Sequence, residues 1–176
     1  MRAVTSSEVC ELAAKQAIRD VLSAYCRAMD RCDRDLALAT WHSGGTCDYL
    51  NSFQGTGTEF VDWVLVRHSR LLRHSHQVTN VDIKVDVEND RAVSEAYVTA
   101  TLWRPPEGSP TETLSRGRYL DRWSNRDGRW AIDHRVFVQD LMTNTPIPAN
   151  SLELVAAQSR RDPADPSYEL FASIVP

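Results

Sequence analysis

The sequence predicts an α+β fold: a strongly curved antiparallel sheet packed against about three N-terminal helices to form a cone. Three observations carry this expectation. Apolar residues recur at three- and four-residue steps over residues 7–30. From residue 76 onward the apolar period changes to two. The helical segments precede the long strands instead of alternating with them, which is the α+β arrangement. The interior of the cone is the natural pocket.

Residues 7–30 read as one long helix. Ser6 or Ser7 is placed to cap it, and Glu8 and Glu11 favour its positive end. Val9, Leu12, Ala13, Ile18, Val21, Leu22, Tyr25, Cys26 and Met29 make one apolar stripe. Asp33 can cap a short second helix through Leu36, Leu38 and Trp41, ended by Gly44-Gly45. Thr46 to Leu50 reads as a short strand. Thr58 is placed to cap a third helix, with Phe60, Val61, Val64, Leu65, Leu71 and Leu72 on its buried side. Val81, Ile83, Val85 and Val87 then alternate with polar residues, a strand signal, and Asn89-Asp90 turns the chain. Residues 91–104, 112–124 and 129–140 read as three further strands. The last two are joined by Asn125-Arg126-Asp127-Gly128, a hairpin turn. The domain therefore spans residues 1–145. Pro146, Pro148, Pro163 and Pro166 make 146–176 an irregular tail, packed on the domain or on a neighbouring subunit, with one short helix around 151–160.

The chain has 176 residues, 42% hydrophobic and 25% charged, as an ordinary globular domain does. A net charge of −4 argues against non-specific nucleic-acid binding. No apolar run approaches the roughly 18 residues of a membrane helix, and the N-terminus lacks a signal-type apolar core. The expectation is a cytoplasmic protein. Its four cysteines, Cys10, Cys26, Cys32 and Cys47, form no CxxC pair and read as reduced packing residues.

The chemistry-bearing feature is the acidic turn Ala28-Met29-Asp30-Arg31-Cys32-Asp33 read with His74-Ser75-His76. A carboxylate and an imidazole from separate elements are the minimum for cofactor-free proton transfer. Spacing alone leaves alternatives open. Asp30 could pair with Arg27 or Arg34 at the surface, and a two-histidine, one-carboxylate metal site is possible on paper. His74 and His76 point to the same strand face. Arg135 shares a face with Asp133 and Phe137, about 7 Å per two residues, too far for a simple ion pair with Asp133. Tyr25 lines the same cavity as Asp30 or packs in the core. Trp63 and Trp103 suit an aromatic-friendly pocket. His42, His68 and His134 read as structural or exposed, and Asp121 with Arg118 and Arg122 as a solvated or interface charge cluster.

The ordered set Ile18-Arg19-Asp20, Tyr25, Met29-Asp30, Asp33, Asp48-Tyr49, His76-Gln77-Val78-Thr79-Asn80, Gly117-Arg118-Tyr119 and Asp127-Gly128-Arg129-Trp130-Ala131-Ile132 resembles the SnoaL-like branch of the NTF2-like superfamily. Within it the pattern is most similar to the scytalone dehydratase and hexachlorocyclohexane dehydrochlorinase group. The resemblance covers roughly residues 8–140. It implies a cystatin-like α+β barrel, assembled as a homotrimer or a dimer, with a small-molecule substrate and neither cofactor nor metal. It also implies that Asp30 orients and charges His76, which takes a proton from substrate carbon. Tyr49 falls on the pocket tyrosine of the short strand, and Arg135 on an arginine that helps the leaving group. Tyr25, Trp63, Trp103, Tyr119 and Phe137 are the expected substrate-binding residues. Met29 replaces a second pocket tyrosine, and the serine and asparagine of the third long strand fall near Gly117 and Tyr119. The groups that hold the diol substrate of scytalone dehydratase are therefore largely gone. The expected activity is that of a lyase on a small cyclic or aromatic oxygenated substrate. The alternatives are an isomerase or polyketide cyclase, and a non-catalytic binder or dioxygenase-type small subunit.

Overall fold

Thr5 and Glu8 form a capping box that starts helix α1 (Ser6–Arg31). Cys32, in the left-handed conformation at φ 51°, stops it. The Thr5-x-x-Glu8 pattern, with its reciprocal bonds, takes the cap from Ser6 and Ser7. Asp33 caps α2 (Arg34–Ala39) by accepting the Leu36 amide. Strand β1 (Trp41–Asp48) follows, then β2 (Gln54–Thr56). A second capping box, Thr56 with Glu59 and not Thr58, starts α3 (Gly57–Ser69). Four long strands complete the sheet: β3 (Arg73–Asp86), β4 (Arg91–Arg104), β5 (Thr111–Arg126) and β6 (Arg129–Pro146). A tail helix, α4 (Pro166–Ala172), comes last. The computed structural model describes residues 4–105, 109–148, 150–151 and 159–174.

The six strands form one curved, unclosed sheet in the order β2-β1-β6-β5-β4-β3. β3 through β6 are an antiparallel meander, and β1 joins β6 in parallel. The β5–β6 hairpin turns at Asp127 (φ 54°) and Gly128 (φ 79°), the pair of left-handed residues that a tight two-residue turn requires. The core runs between α1, α3 and the inner sheet face, through Ile18, Leu22, Phe60, Val61, Ala96, Trp123 and Ile132. Among the described residues no helix is long and apolar enough to cross a membrane.

Four elements differ from expectation. The second helix stops at Ala39, because Trp41 pairs with Ile132 of β6 and the following residues join the sheet. Gly44 and Gly45 lie inside β1, where the register shifts between Trp41 and Thr46, and do not end a helix. Short β2 and α4 have too little periodicity to be read from sequence. The helix expected around 151–160 lies mostly outside the described residues. The described part of the tail packs back on α1. Asp165 pairs with Arg31 at 3.2 Å, and the Tyr168 hydroxyl donates to Asp33 at 2.7 Å.

Candidate active site

α1 and β3 bring the two leading candidates together. Asp30 lies in the last turn of α1, and His76 lies on the third strand, four residues into β3. The His76 ring Nδ1 donates to Asp30 Oδ1 at 2.7 Å, and the His76 backbone amide donates to Asp30 Oδ2 at 3.0 Å. Both side chains are largely buried, 8% exposed for His76 and 15% for Asp30. A carboxylate on Nδ1 makes that nitrogen the N–H donor, so in the neutral ring Nε2 is the free acceptor. Asp30 thus makes neither of the surface pairs with Arg27 or Arg34. Arg34 binds Asp62 instead, at 2.7 Å.

His74 has a different task. Its Nε2 donates to the Met29 carbonyl at 2.8 Å, which satisfies one of the free carbonyls at the end of α1. That bond ties the helix end carrying Asp30 to the strand carrying His76.

His76 opens on a cavity of about 130 Å³ beneath the sheet, lined also by Tyr25, Met29, Tyr49, Phe60, Trp63, Val64, His68, Val98, Ala100, Leu102, Ser115, Tyr119 and Phe137. The walls are aromatic and apolar, with a few convergent polar groups. Tyr25 and Tyr49 hydroxyls are hydrogen-bonded at 3.0 Å. Tyr49 is stacked between Phe60 and Phe137, with ring centroids 4.3 and 5.4 Å away. Burial raises the hydroxyl pKa of Tyr25, Tyr49 and Tyr119, so all three are neutral phenols at pH 7. The Phe137 ring packs over Gly117, where a Cβ would come within 2.7 Å of it and 2.2 Å of the Val138 carbonyl.

Arg135 does not reach the cavity wall. It is fully buried and forms a two-pronged pair with Asp121, both bonds 2.7 Å. Burial opposes its charge, and the Asp121 carboxylate outweighs that, holding the guanidinium above its ordinary range. Its guanidinium stacks on the Tyr119 and Tyr25 rings at 3.9 and 4.3 Å. Asp121 is therefore an interior residue and no part of a surface cluster, while Arg118 pairs with Glu95 and Asp140. Asp133 pairs with Arg126. Trp103 is not among the lining residues, and its indole donates to Glu112 at 2.9 Å.

Of the three histidines read as structural or exposed, His42 binds the Ser124 carbonyl and His134 binds Thr46. His68 is neither exposed nor remote. It is 7% exposed, lines the cavity, and its ring centroid is 5.2 Å from that of His76. The signal for it was helical spacing: Phe60, Val64 and His68 are successive i, i+4 neighbours on α3. Among the described residues no group of three or more His, Cys, Asp or Glu is arranged to hold a metal ion. Burial pushes the Cys26 and Cys47 thiols up to about 12, which removes them as nucleophiles.

The SnoaL-like domain family matches residues 10–136. The chain belongs to this family. As a SnoaL-like protein it shares its fold with solved structures of low sequence identity. A provisional scytalone dehydratase from Novosphingobium aromaticivorans is 21% identical, with TM-score 0.67 over 78% of this chain and 91% of that one. Hexachlorocyclohexane dehydrochlorinase type 3 from Novosphingobium barchaimii is 20% identical, with TM-score 0.66 over 76% and 91%. A protein of unknown function with a cystatin-like fold from Nostoc punctiforme is 18% identical, with TM-score 0.59 over 79% and 96%. No curated protein matches the chain.

Proposed function

We propose that this SnoaL-like protein is a cofactor-independent lyase of the dehydratase type, with His76 as general base and Asp30 as its orienting carboxylate. The observation that carries the reading is the 2.7 Å contact between Asp30 and His76 at the wall of a cavity. His76 Nε2 takes a proton from a carbon next to a carbonyl or phenol. Asp30 stabilises the imidazolium that forms. The C–H electron pair becomes the new double bond, and the departing hydroxide leaves as water with the proton returned by His76.

The neutral hydroxyl pair of Tyr25 and Tyr49 donates to the substrate oxygen where enolate charge develops. Arg135 supports them from behind, its cation against the Tyr25 ring pulling that hydroxyl's pKa down against the effect of burial. Among the described lining residues there is no lysine or arginine, and the one cation the reaction creates there is the His76 imidazolium, which carries the proton a leaving hydroxide needs. This favours loss of water, protonated by His76, over loss of a halide anion. A cavity of about 130 Å³ suits a single-ring substrate, since cavities near 150 Å³ hold benzene. Homotrimeric assembly and a cytoplasmic setting belong to the same reading; sedimentation of the purified chain tests the first.

The test is proton exchange and dehydration of single-ring hydroxy ketones in D2O, followed by NMR. The wild type is expected to exchange and eliminate, whereas in Asp30→Asn and His76→Ala, both folded, each rate falls by at least about 10²-fold. Exchange without elimination would identify an isomerase or cyclase. Full turnover by either variant would remove the pair from the mechanism.

A further inference from the structure

His68 is a buried titratable group that the proposed chemistry leaves unused. It lines the cavity from the last turn of α3, beside the two β3 histidines. Its ring lies 4.6 Å from that of His74 and 5.2 Å from that of His76. The residue is 7% exposed, and its Nδ1 has no hydrogen-bond partner among the described residues. Buried polar atoms are nearly always paired, and one left unpaired on a residue that lines a cavity points to a partner that arrives with the ligand. The backbone here is held firmly: the His68 carbonyl accepts from Arg161 at 2.8 Å. The imidazole is therefore presented by a fixed helix end.

We propose that His68 is a second substrate-contacting imidazole, which hydrogen-bonds a hydroxyl on the ring whose carbon faces His76. This rests on the reading of the cavity as the substrate site, and narrows the substrate to a ring bearing a hydroxyl. Two imidazoles side by side divide the work. Burial, then the proximity of His76 and His74, pushes His68 down to about 2, against the opposing pull of the Met29 carbonyl. It stays neutral when His76 gains its proton, so it neither repels that charge as a cation nor competes for the proton. A neutral imidazole has one donor and one acceptor, and a hydroxyl can satisfy either. The aromatic walls supply affinity for the ring, and His68 fixes its rotation.

Phenol and benzene are the probes. The full-length wild type is expected to bind phenol about tenfold more tightly than benzene, and phenol alone to shift the ring ¹⁵N resonances of His68. In His68→Leu the preference is expected to fall at least fivefold while benzene binding is retained, which shows that the cavity is intact. His68→Gln, which keeps a polar group, is expected to fall between them. An unchanged phenol preference in His68→Leu, or no preference in the wild type, overturns the assignment. Failure of the base mechanism is read separately, from wild-type proton exchange in D2O; it leaves the phenol result standing as a binding property.

Discussion

Asp30 holds His76 through both carboxylate oxygens, one on the ring nitrogen at 2.7 Å and one on the backbone amide at 3.0 Å. A single side chain thus fixes the imidazole tautomer and the position of the strand that carries it. The helix end and β3 are locked together at the point where the chemistry is placed.

Asp30→Asn replaces one acceptor oxygen by an NH2 donor, which faces one of the two N–H groups that Asp30 now accepts. Proton exchange in the D2O assay is expected to fall by about 10²–10⁴-fold, with the far-UV circular dichroism unchanged. Histidine ¹⁵N shifts check the cause: the Nδ1–H form of His76 should no longer dominate. Retention of that form with full exchange would show that the carboxylate is dispensable.

Tyr49→Phe keeps the stack on Phe60 and Phe137 and deletes one hydroxyl. Tyr25 loses its 3.0 Å partner. The stability cost is about 1 kcal/mol, read by thermal melting. The catalytic loss is larger, on the order of 10²-fold in kcat. Equal losses in Tyr25→Phe would make the pair one donor unit, whereas an effect confined to KM would reduce it to a binding wall.

Arg135 and Asp121 are both completely buried, with side chains 0% exposed. Arg135→Leu leaves a bare carboxylate inside the sheet and is expected to cost about 3–5 kcal/mol in urea unfolding. Replacing both residues by apolar ones should cost much less than the two single changes together. Additive losses would mean that the pair does not act as a unit.

Stability should depend on pH through His68. The unfolded imidazole takes up a proton near 6.5, and the folded one only near 2, chiefly because it is buried. The unfolded chain therefore binds the extra proton between these values. Stability is unaffected by this residue above about pH 7 and falls as the pH drops from 6.5 toward 2, by up to about 1.4 kcal/mol per pH unit. Burial shifts His74 in the same direction. Urea midpoints at pH 7.5, 6 and 5 should fall less in His68→Leu than in the wild type. Parallel curves would refute a neutral buried His68.

Much of the site was legible in the chain. The apolar stripe of α1 ends at Met29, which places Asp30 at the helix terminus. The strand period starting around His76 places that ring near the same end of the cone. His68 was legible in principle, as the third member of the Phe60, Val64, His68 series, but a polar side chain on a helix reads as structural or exposed when pattern alone is used, and nothing local to it points into a cavity.

The sequence by itself determined the two long helices, the meander and the Asp127-Gly128 turn, because local periodicity and turn chemistry are written in neighbouring residues; the choice of Asp30 with His76 rests on the family resemblance and not on spacing. Only the tertiary structure decided the role of Arg135. From the turn, Arg126 opposes Arg129 and Trp123 opposes Ile132, but a register shift between Arg122 and Trp123 then sets Asp121 opposite Arg135. Without that one-residue shift Asp121 would face His134. In a strand one residue changes the face on which a side chain lies, so a single bulge, invisible in the alternation of residue types, placed this cation behind the tyrosines and outside the cavity.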